Sequence, residues 1–154
     1  MVAAPGLTVI DAPIFVIDLR YRRDRNFSAN RAFLDRIAQG YPGATTIFNL
    51  LEVCGILSFN LGQRQLDALF HYFSRHYSIE VLPHSTLESP LPTFLSRGLF
   101  EKISTRASFG DALIASAVER HVPGAARFVS WNAHHFKNML SIPVLSPREF
   151  LQSI

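Results

Sequence analysis

The stretch Pro13-Ile14-Phe15-Val16-Ile17-Asp18 decides the predicted fold, because it is a short apolar run that ends on an acid. β-Branched residues are frequent in it, which is typical of a strand buried on both faces of a parallel sheet. Asp18 would then lie at the carboxyl end of this strand, where open parallel sheets bind their ligands. The sequence therefore predicts a ligand site around Asp18.

Short apolar runs alternate with helical patterns along the rest of the chain. Further strands are predicted at residues 79–82, 127–130 and 143–145, and Thr45-Thr46 is either a strand end or a helix N-cap. Helices are predicted at residues 29–39, 47–60 and 108–119, through Leu66, Leu69, Phe70 and Phe73, and through Phe94, Leu95 and Phe100. This alternation predicts an α/β fold, a three-layer sandwich with a central, mostly parallel sheet flanked by helices.

The length and composition fit one domain over residues 1–154, with its core at about 13–151. The chain has 154 residues, of which 48% are hydrophobic and 18% are charged, so a well-filled core is expected. The single cysteine, Cys54, cannot form an internal disulfide, which fits a reducing compartment. Asp18, Glu52 and Asp111 interrupt the longest apolar stretches, so no membrane span is expected. The N-terminal segment lacks a positively charged start and carries Asp11, so a secretory signal is not expected either. The expected location is the cytoplasm.

Positive charge is concentrated in one short segment. The net charge of the chain is +3, and Arg20, Arg22, Arg23 and Arg25 lie close together with Asp24 as the only acid among them. Such a cluster either binds a polyanion or is an ordinary solvated loop.

Three acids lie in apolar surroundings, where an ionised carboxylate is costly unless something compensates its charge. They are Asp18, Glu52 within an apolar helical stretch, and Asp111 directly before another. Taken singly, each has a structural explanation as a cap, a helix-dipole charge or an ion-pair partner. If the three converge, a cation relieves their repulsion, and hard oxygen ligands suit Mg²⁺ or Mn²⁺. The sequence therefore predicts a divalent metal site.

The segment Ser130-Trp131-Asn132-Ala133-His134-His135-Phe136 follows a predicted strand and should reach the same edge of the sheet. Asn132 offers a neutral oxygen to a metal or to its water, and it also suits a helix N-cap. The two histidines lack a second ligand pair at metal-binding spacing, so they are interpreted as packing or surface residues.

Four segments in this order resemble the PIN-domain family of metal-dependent nucleases, and most closely the VapC-type toxins of toxin–antitoxin pairs. They are VIDL ending at Leu19, TTIFNLLEVCGIL around Glu52, SFGDALIASAV around Asp111, and FVSWNAHHF at residues 128–136, while the final IPVLSPREFL is similar to the last strand and helix of the family. The resemblance implies that Asp18, Glu52 and Asp111 are the three family acids, with Asn132 and His135 at the further site positions. Leu19 and Arg20 replace the hydroxyl residue and the asparagine or serine that usually follow the first acid, so Arg20 would either pair with a site acid or bind a substrate phosphate.

These observations lead to three hypotheses. The first is an Mg²⁺- or Mn²⁺-dependent endoribonuclease, with Arg20, Arg22, Arg23 and Arg25 binding the RNA backbone, and the choice of RNA rests on the resemblance alone. The second is a PIN-like module that binds RNA or a protein without cleaving. The third is a receiver or phosphatase fold, but no second aspartate stands two residues after Asp18 and no lysine follows the late strand. The resemblance also implies a homodimer and a small antitoxin partner.

Overall fold

A computed structural model describes residues 5–154. Residues 1–4, on which the predicted absence of a secretory signal partly rests, lie outside this range. The strands are β1 (Leu7–Ile10), β2 (Gly43–Thr46), β3 (Glu80–Leu82), β4 (Ala125–Val129) and β5 (Val144–Leu145). The helices are α1 (Ala12–Arg20), α2 (Phe27–Ala38), α3 (Ile47–Leu57), α4 (Gln63–Tyr77), α5 (Ser96–Ile103), α6 (Phe109–His121), α7 (Ala133–Phe136) and α8 (Pro147–Gln152).

The five strands form one sheet in the order β3-β2-β1-β4-β5, and every neighbouring pair is parallel. This confirms the predicted α/β fold. The chain runs outward from β1 through β2 to β3 and then returns to β4 on the other side of β1. The carboxyl ends of β1 and β4 therefore flank the point where the strand order reverses, which is where open α/β sheets bind ligands.

Helices cover both faces of the sheet. Ile10 and Val129 belong to one hydrophobic cluster, whereas their neighbours Val9 and Phe128 belong to another. Since successive side chains of a strand point to opposite faces, the sheet has a core on each side. This arrangement is the predicted three-layer sandwich.

The strand predicted from Pro13 to Asp18 is wrong, because these residues lie in helix α1. The Asp11 side chain caps the helix by accepting a hydrogen bond from the Ala12 amide at 2.9 Å, and Pro13 suits the first helical turn. The helix is apolar because much of it is buried, and a short apolar run does not distinguish a buried helix from a buried strand. The strand is instead β1, which comes directly before Asp11.

Most other predicted elements are confirmed within one to three residues. Thr46 combines its two predicted roles, because it ends β2 and its hydroxyl caps α3. Phe33, Leu34 and Ile37 are buried, as expected for the inner face of α2. Among residues 5–154, the helices are all too short or too polar to span a membrane.

Candidate functional site

Asp11 lies at the carboxyl end of β1 and is only 4% exposed. One carboxylate oxygen accepts hydrogen bonds from the Ala12 amide at 2.9 Å and from Asn49 Nδ2 at 3.1 Å. The other oxygen accepts a hydrogen bond from the Ser130 hydroxyl at 2.6 Å. Contacts from α1, from α3 and from the segment after β4 therefore fix the orientation of this carboxylate.

Helix α3 brings Glu52 to the side of Asp11. Thr46 and Asn49 form a capping box at the start of this helix, and Asn49 also contacts Asp11. Asn49 and Glu52 are three residues apart, so they lie on the same face of the helix. Contrary to the expectation of a buried acid, Glu52 keeps access to solvent, although neighbouring groups desolvate part of its carboxylate.

Asp111 lies in the first turn of α6, where its negative charge suits the helix dipole. Its amide donates to the hydroxyl of the N-cap residue Ser108 at 3.1 Å, and its side chain is 29% exposed. Asp111 Oδ2 lies 3.1 Å from His135 Nδ1. Helices α3 and α6 are in contact, and the charge of Asp111 acts on the Glu52 carboxylate, so the two acids lie within electrostatic range of each other.

The segment after β4 connects Asp11 to Asp111. The Ser130 hydroxyl, which donates to Asp11, accepts a hydrogen bond from the Asn132 amide at 2.9 Å. The Asn132 carbonyl in turn accepts from the His135 amide at 2.9 Å, and the His135 ring contacts Asp111. A continuous chain of contacts thus joins the two aspartates at the edge of the sheet.

The three acids Asp11, Glu52 and Asp111 share one electrostatic environment. Burial raises the pKa of Asp11 from 3.8 to about 7; the hydrogen bonds from Ser130 and Ala12 oppose this shift, while the charges of Glu52 and Asp111 add to it. Burial, followed by the charge of Asp111, raises the pKa of Glu52. Excess negative charge at one point is the electrostatic condition that favours a bound cation.

The predicted site residue Asp18 lies elsewhere. Its side chain is 8% exposed, accepts a hydrogen bond from the Tyr77 hydroxyl at 2.8 Å and lies 2.6 Å from Arg31 Nη1. These contacts join α1 to α2 and α4, and Asp18 lies seven positions further along the chain than Asp11, which is about 10 Å along the helix axis. The structure therefore places Glu52 and Asp111 within electrostatic range of Asp11. It engages Asp18 in an ion pair, which differs both from the predicted site role and from the turn cap that was its structural alternative.

We expect Asp18→Asn to lower the free energy of unfolding by about 1–3 kcal/mol, because Arg31 and Tyr77 lose a charged, largely buried acceptor. Urea denaturation at pH 7 measures this change. The control is Asp35→Asn, which removes the exposed partner of Arg31 and should cost less than about 0.5 kcal/mol. Equal losses in the two variants would contradict the assignment of Asp18 as a structural anchor.

Asn132 and the two histidines lie at the site edge and are exposed. Asn132 occupies the N-cap position of α7, but its side chain makes no capping hydrogen bond, so its oxygen stays available at the surface. The rings of His134 and His135 are 4.2 Å apart, which agrees with the interpretation of both as surface residues, and His135 adds its contact with Asp111.

The four clustered arginines are exposed in the segment that begins at the end of α1. Arg20 Nε donates to Asn60 Oδ1 at 3.2 Å, so the pairing of Arg20 with a site acid is not observed. Within residues 5–154, no salt bridge involves Arg20, Arg22, Arg23 or Arg25.

The donor chemistry of the site fits a hard divalent cation, because it combines three carboxylates with an amide oxygen. In the observed side-chain arrangement, no group of three or more His, Cys, Asp or Glu residues within the described part of the chain is positioned to hold a metal. Both Asp11 oxygens are already engaged by protein donors. The residue types and the charge therefore suit a metal, and the Asp11 carboxylate would have to exchange at least one of these hydrogen bonds to bind it.

Sequence reasoning missed three residues of this site: Asp11, Asn49 and Ser130. A signal for Asp11 was present, since the β-branched run Thr8-Val9-Ile10 precedes it and a proline follows two residues later. No comparable signal existed for Asn49 or Ser130, because their roles depend on contacts between residues 38 and 119 positions apart.

No protein-family model matches the sequence, and no curated protein sequence matches it. Solved structures are similar to it in fold. A chain in the crystal structure of VapBC2 from Rickettsia felis, bound to a DNA fragment from their promoter, has a TM-score of 0.61 and 18% identity, over 91% of this chain and 98% of that one. A chain in the structure of FitAB bound to the IR36 DNA fragment has a TM-score of 0.56 and 13% identity, over 91% of this chain and 94% of that one. At such low identity, these similarities show a shared fold.

Proposed function

We propose that the protein is a metal-dependent endoribonuclease and the toxin of a toxin–antitoxin pair. The observation that carries this proposal is the convergence of Asp11, Glu52 and Asp111 at the carboxyl edge of the sheet, where burial and mutual repulsion raise the pKa of Asp11 to about 7. The fold similarity to chains of VapBC2 and FitAB, which are toxin–antitoxin complexes, supports the toxin assignment. The choice of RNA over DNA follows the resemblance to VapC-type toxins.

Each site residue has a proposed role. Asp11, Glu52 and Asp111 would hold Mg²⁺ or Mn²⁺, and Asn132 would complete the ligand set directly or through water. The ion would supply a water of lowered pKa and would stabilise charge on the scissile phosphate. Ser130 and Asn49 orient the Asp11 carboxylate through their hydrogen bonds. In this assignment Asp11 takes the metal-binding role that was predicted for Asp18.

Partner binding is part of the same proposal: a homodimer in the cytoplasm, inhibited by a small antitoxin. Two segments carry apolar side chains that would suit a partner surface: Leu66, Leu69, Phe70 and Phe73 of α4, and Phe94, Leu99 and Phe100 in and before α5. Phe73 of α4 is buried in the core, whereas Leu95, at the N-cap of α5, and Phe100, within α5, are strongly exposed. Helix α5 is therefore the better candidate, because its apolar side chains are exposed rather than used in the core.

Incubation of the purified protein with total RNA and Mn²⁺ or Mg²⁺ tests the nuclease. We expect cleavage that EDTA stops and that Asp111→Asn reduces at least about a hundredfold, since a metal contributes several kcal/mol to transition-state stabilisation. Asp67→Asn, a change at an exposed acid on α4, serves as the control and should cleave normally. Cleavage by Asp111→Asn at the wild-type rate would disprove the assignment.

A module that binds RNA without cleaving it is the second candidate. The observation that favours it is that Asp11 already uses both oxygens in protein hydrogen bonds. This alternative predicts RNA binding that is insensitive to metal and no turnover in Mg²⁺ or Mn²⁺. A chain freed of any bound antitoxin is required for that comparison.

A further inference from the structure

An exposed surface with two aromatic side chains lies where the ends of α1 and α3 meet. Arg20 is the last residue of α1, and its side chain donates to that of Asn60, three residues beyond α3. Tyr21 and Phe59 adjoin the two partners of this bond, and they are 51% and 89% exposed. We name the surface formed by residues 20–25 and by Phe59 and Asn60 the α1–α3 tip.

The α1–α3 tip is positively charged. It contains the four clustered arginines, none of which is neutralised by a salt bridge within residues 5–154. The one acid among them, Asp24, accepts a hydrogen bond from the Asn26 amide at 2.7 Å. Residues 19–24 also line an open cavity of about 510 Å³. The tip therefore offers cationic groups and aromatic faces side by side.

This combination is the one that binds single-stranded nucleic acid. Bases stack on exposed aromatic rings, while a basic groove follows the phosphates. A duplex cannot use such rings, because its bases are already stacked and paired, and RNA is read in sequence mainly where it is unpaired. We propose that the α1–α3 tip binds unpaired RNA, with bases on Tyr21 and Phe59 and phosphates on the arginines.

The tip lies close enough to the carboxylates to serve the same strand. Helix α1 has nine residues between Asp11 and Tyr21, which corresponds to about 13 Å along its axis. A strand held at the tip therefore reaches the edge of the sheet within a few nucleotides. This inference rests on the proposed nuclease function, and it narrows the substrate to RNA that is unpaired beside the cleaved bond.

Binding of a fluorescent single-stranded RNA oligonucleotide in EDTA tests the tip separately from cleavage. We expect Tyr21→Ala and Phe59→Ala each to weaken binding by about fivefold to a hundredfold, the range measured for loss of one stacked base. Tyr21→Phe should retain binding, whereas Tyr21→Leu should lose it. Tyr72→Ala, at a tyrosine on α4 of similar exposure, is the matched control and should bind as wild type.

The role of the arginines is tested separately, through the salt dependence of RNA binding. Arg22→Gln should weaken binding to all sequences and should reduce the slope of log affinity against log salt by about one, because one phosphate contact is lost. Arg75→Gln, at an exposed arginine on α4, should leave the slope unchanged. A duplex of the same sequence should bind more weakly than the single strand.

The outcomes separate this proposal from its alternatives. Wild-type affinity in Tyr21→Leu, or equal binding of duplex and single strand, overturns it. A different result is that Tyr21→Ala and Phe59→Ala leave RNA binding unchanged and abolish the dimer in size-exclusion chromatography. That result assigns the tip to a protein contact and also overturns the proposal. If RNA binding depends on the tip but no metal-dependent cleavage is found, RNA binding by the tip is supported and the nuclease function is contradicted. If both alanine variants cleave normally at low RNA concentration, RNA binding by the tip is contradicted and the nuclease function is not.

Discussion

Asp11→Asn is expected to lower the rate of RNA cleavage by about a thousandfold while making the metal-free protein more stable above pH 7. The first effect follows from the loss of a carboxylate that would hold the metal, since several kcal/mol of transition-state stabilisation corresponds to that factor. The variant keeps an acceptor for the Ala12 amide and a group that faces Ser130, so the local structure should persist.

The gain in stability follows from the sign of the pKa shift. Burial, with the charges of Glu52 and Asp111, raises the pKa of Asp11 from 3.8 to about 7 in the folded protein. The folded state therefore binds the proton more tightly than the unfolded state, and the contribution of Asp11 to stability is lost as the pH rises from about 4 to about 7. The loss is about 4 kcal/mol at most, because one pKa unit corresponds to about 1.36 kcal/mol.

Urea unfolding in EDTA at several pH values measures this effect. The free energy of unfolding of Asp11→Asn minus that of the wild type should increase as the pH rises from 4 to 8. Asp18→Asn is the matched control: it should lose stability at every pH in this range and should keep its cleavage activity. A stable, cleaving Asp11→Asn variant, or an inactive Asp18→Asn variant that is folded, would restore Asp18 to the site and contradict the structure-based assignment.

The fold was predictable because its signals are local. Short β-branched runs alternate with helical patterns, and caps such as Ser108 lie next to the helices that they begin. The first strand was misplaced because Asp11 separates two apolar runs, Leu7–Ile10 and the buried helix after it, and either run is compatible with a strand. Because the predicted strand began at Pro13, Asp18 was the acid at its carboxyl end.

The candidate site was only partly predictable because its geometry depends on distant contacts. Glu52 and Asp111 were recognisable as acids in apolar helical stretches, and both lie at the site. The partners of Asp18 come from α2 and α4, so nothing in the local sequence distinguished a buried ion pair from a metal ligand. Likewise, the hydrogen bonds to Asp11 from Asn49 and Ser130 exist only once the strands are side by side.

Divalent metal is expected to stabilise the protein strongly at pH 8 and hardly at all at pH 5. A ligand at about a hundred times its dissociation constant adds about 2.7 kcal/mol, which raises the Tm of a domain of this size by about 5–10 °C. The metal requires ionised carboxylates. Burial raises the pKa of Asp11 to about 7, so at pH 5 this carboxyl group holds a proton instead of the metal.

Thermal unfolding with and without Mn²⁺ or Mg²⁺ at the two pH values measures this dependence without reference to RNA. Asp111→Asn should lose the metal-induced shift, because one of the three carboxylates is gone, whereas Asp18→Asn should show it in full from a lower starting Tm. A shift of the same size at pH 5 and pH 8 would mean that the ion binds away from Asp11. If neither ion changes the Tm at pH 8, the three carboxylates do not form a metal site, and their convergence then fits the module that binds RNA without cleaving it.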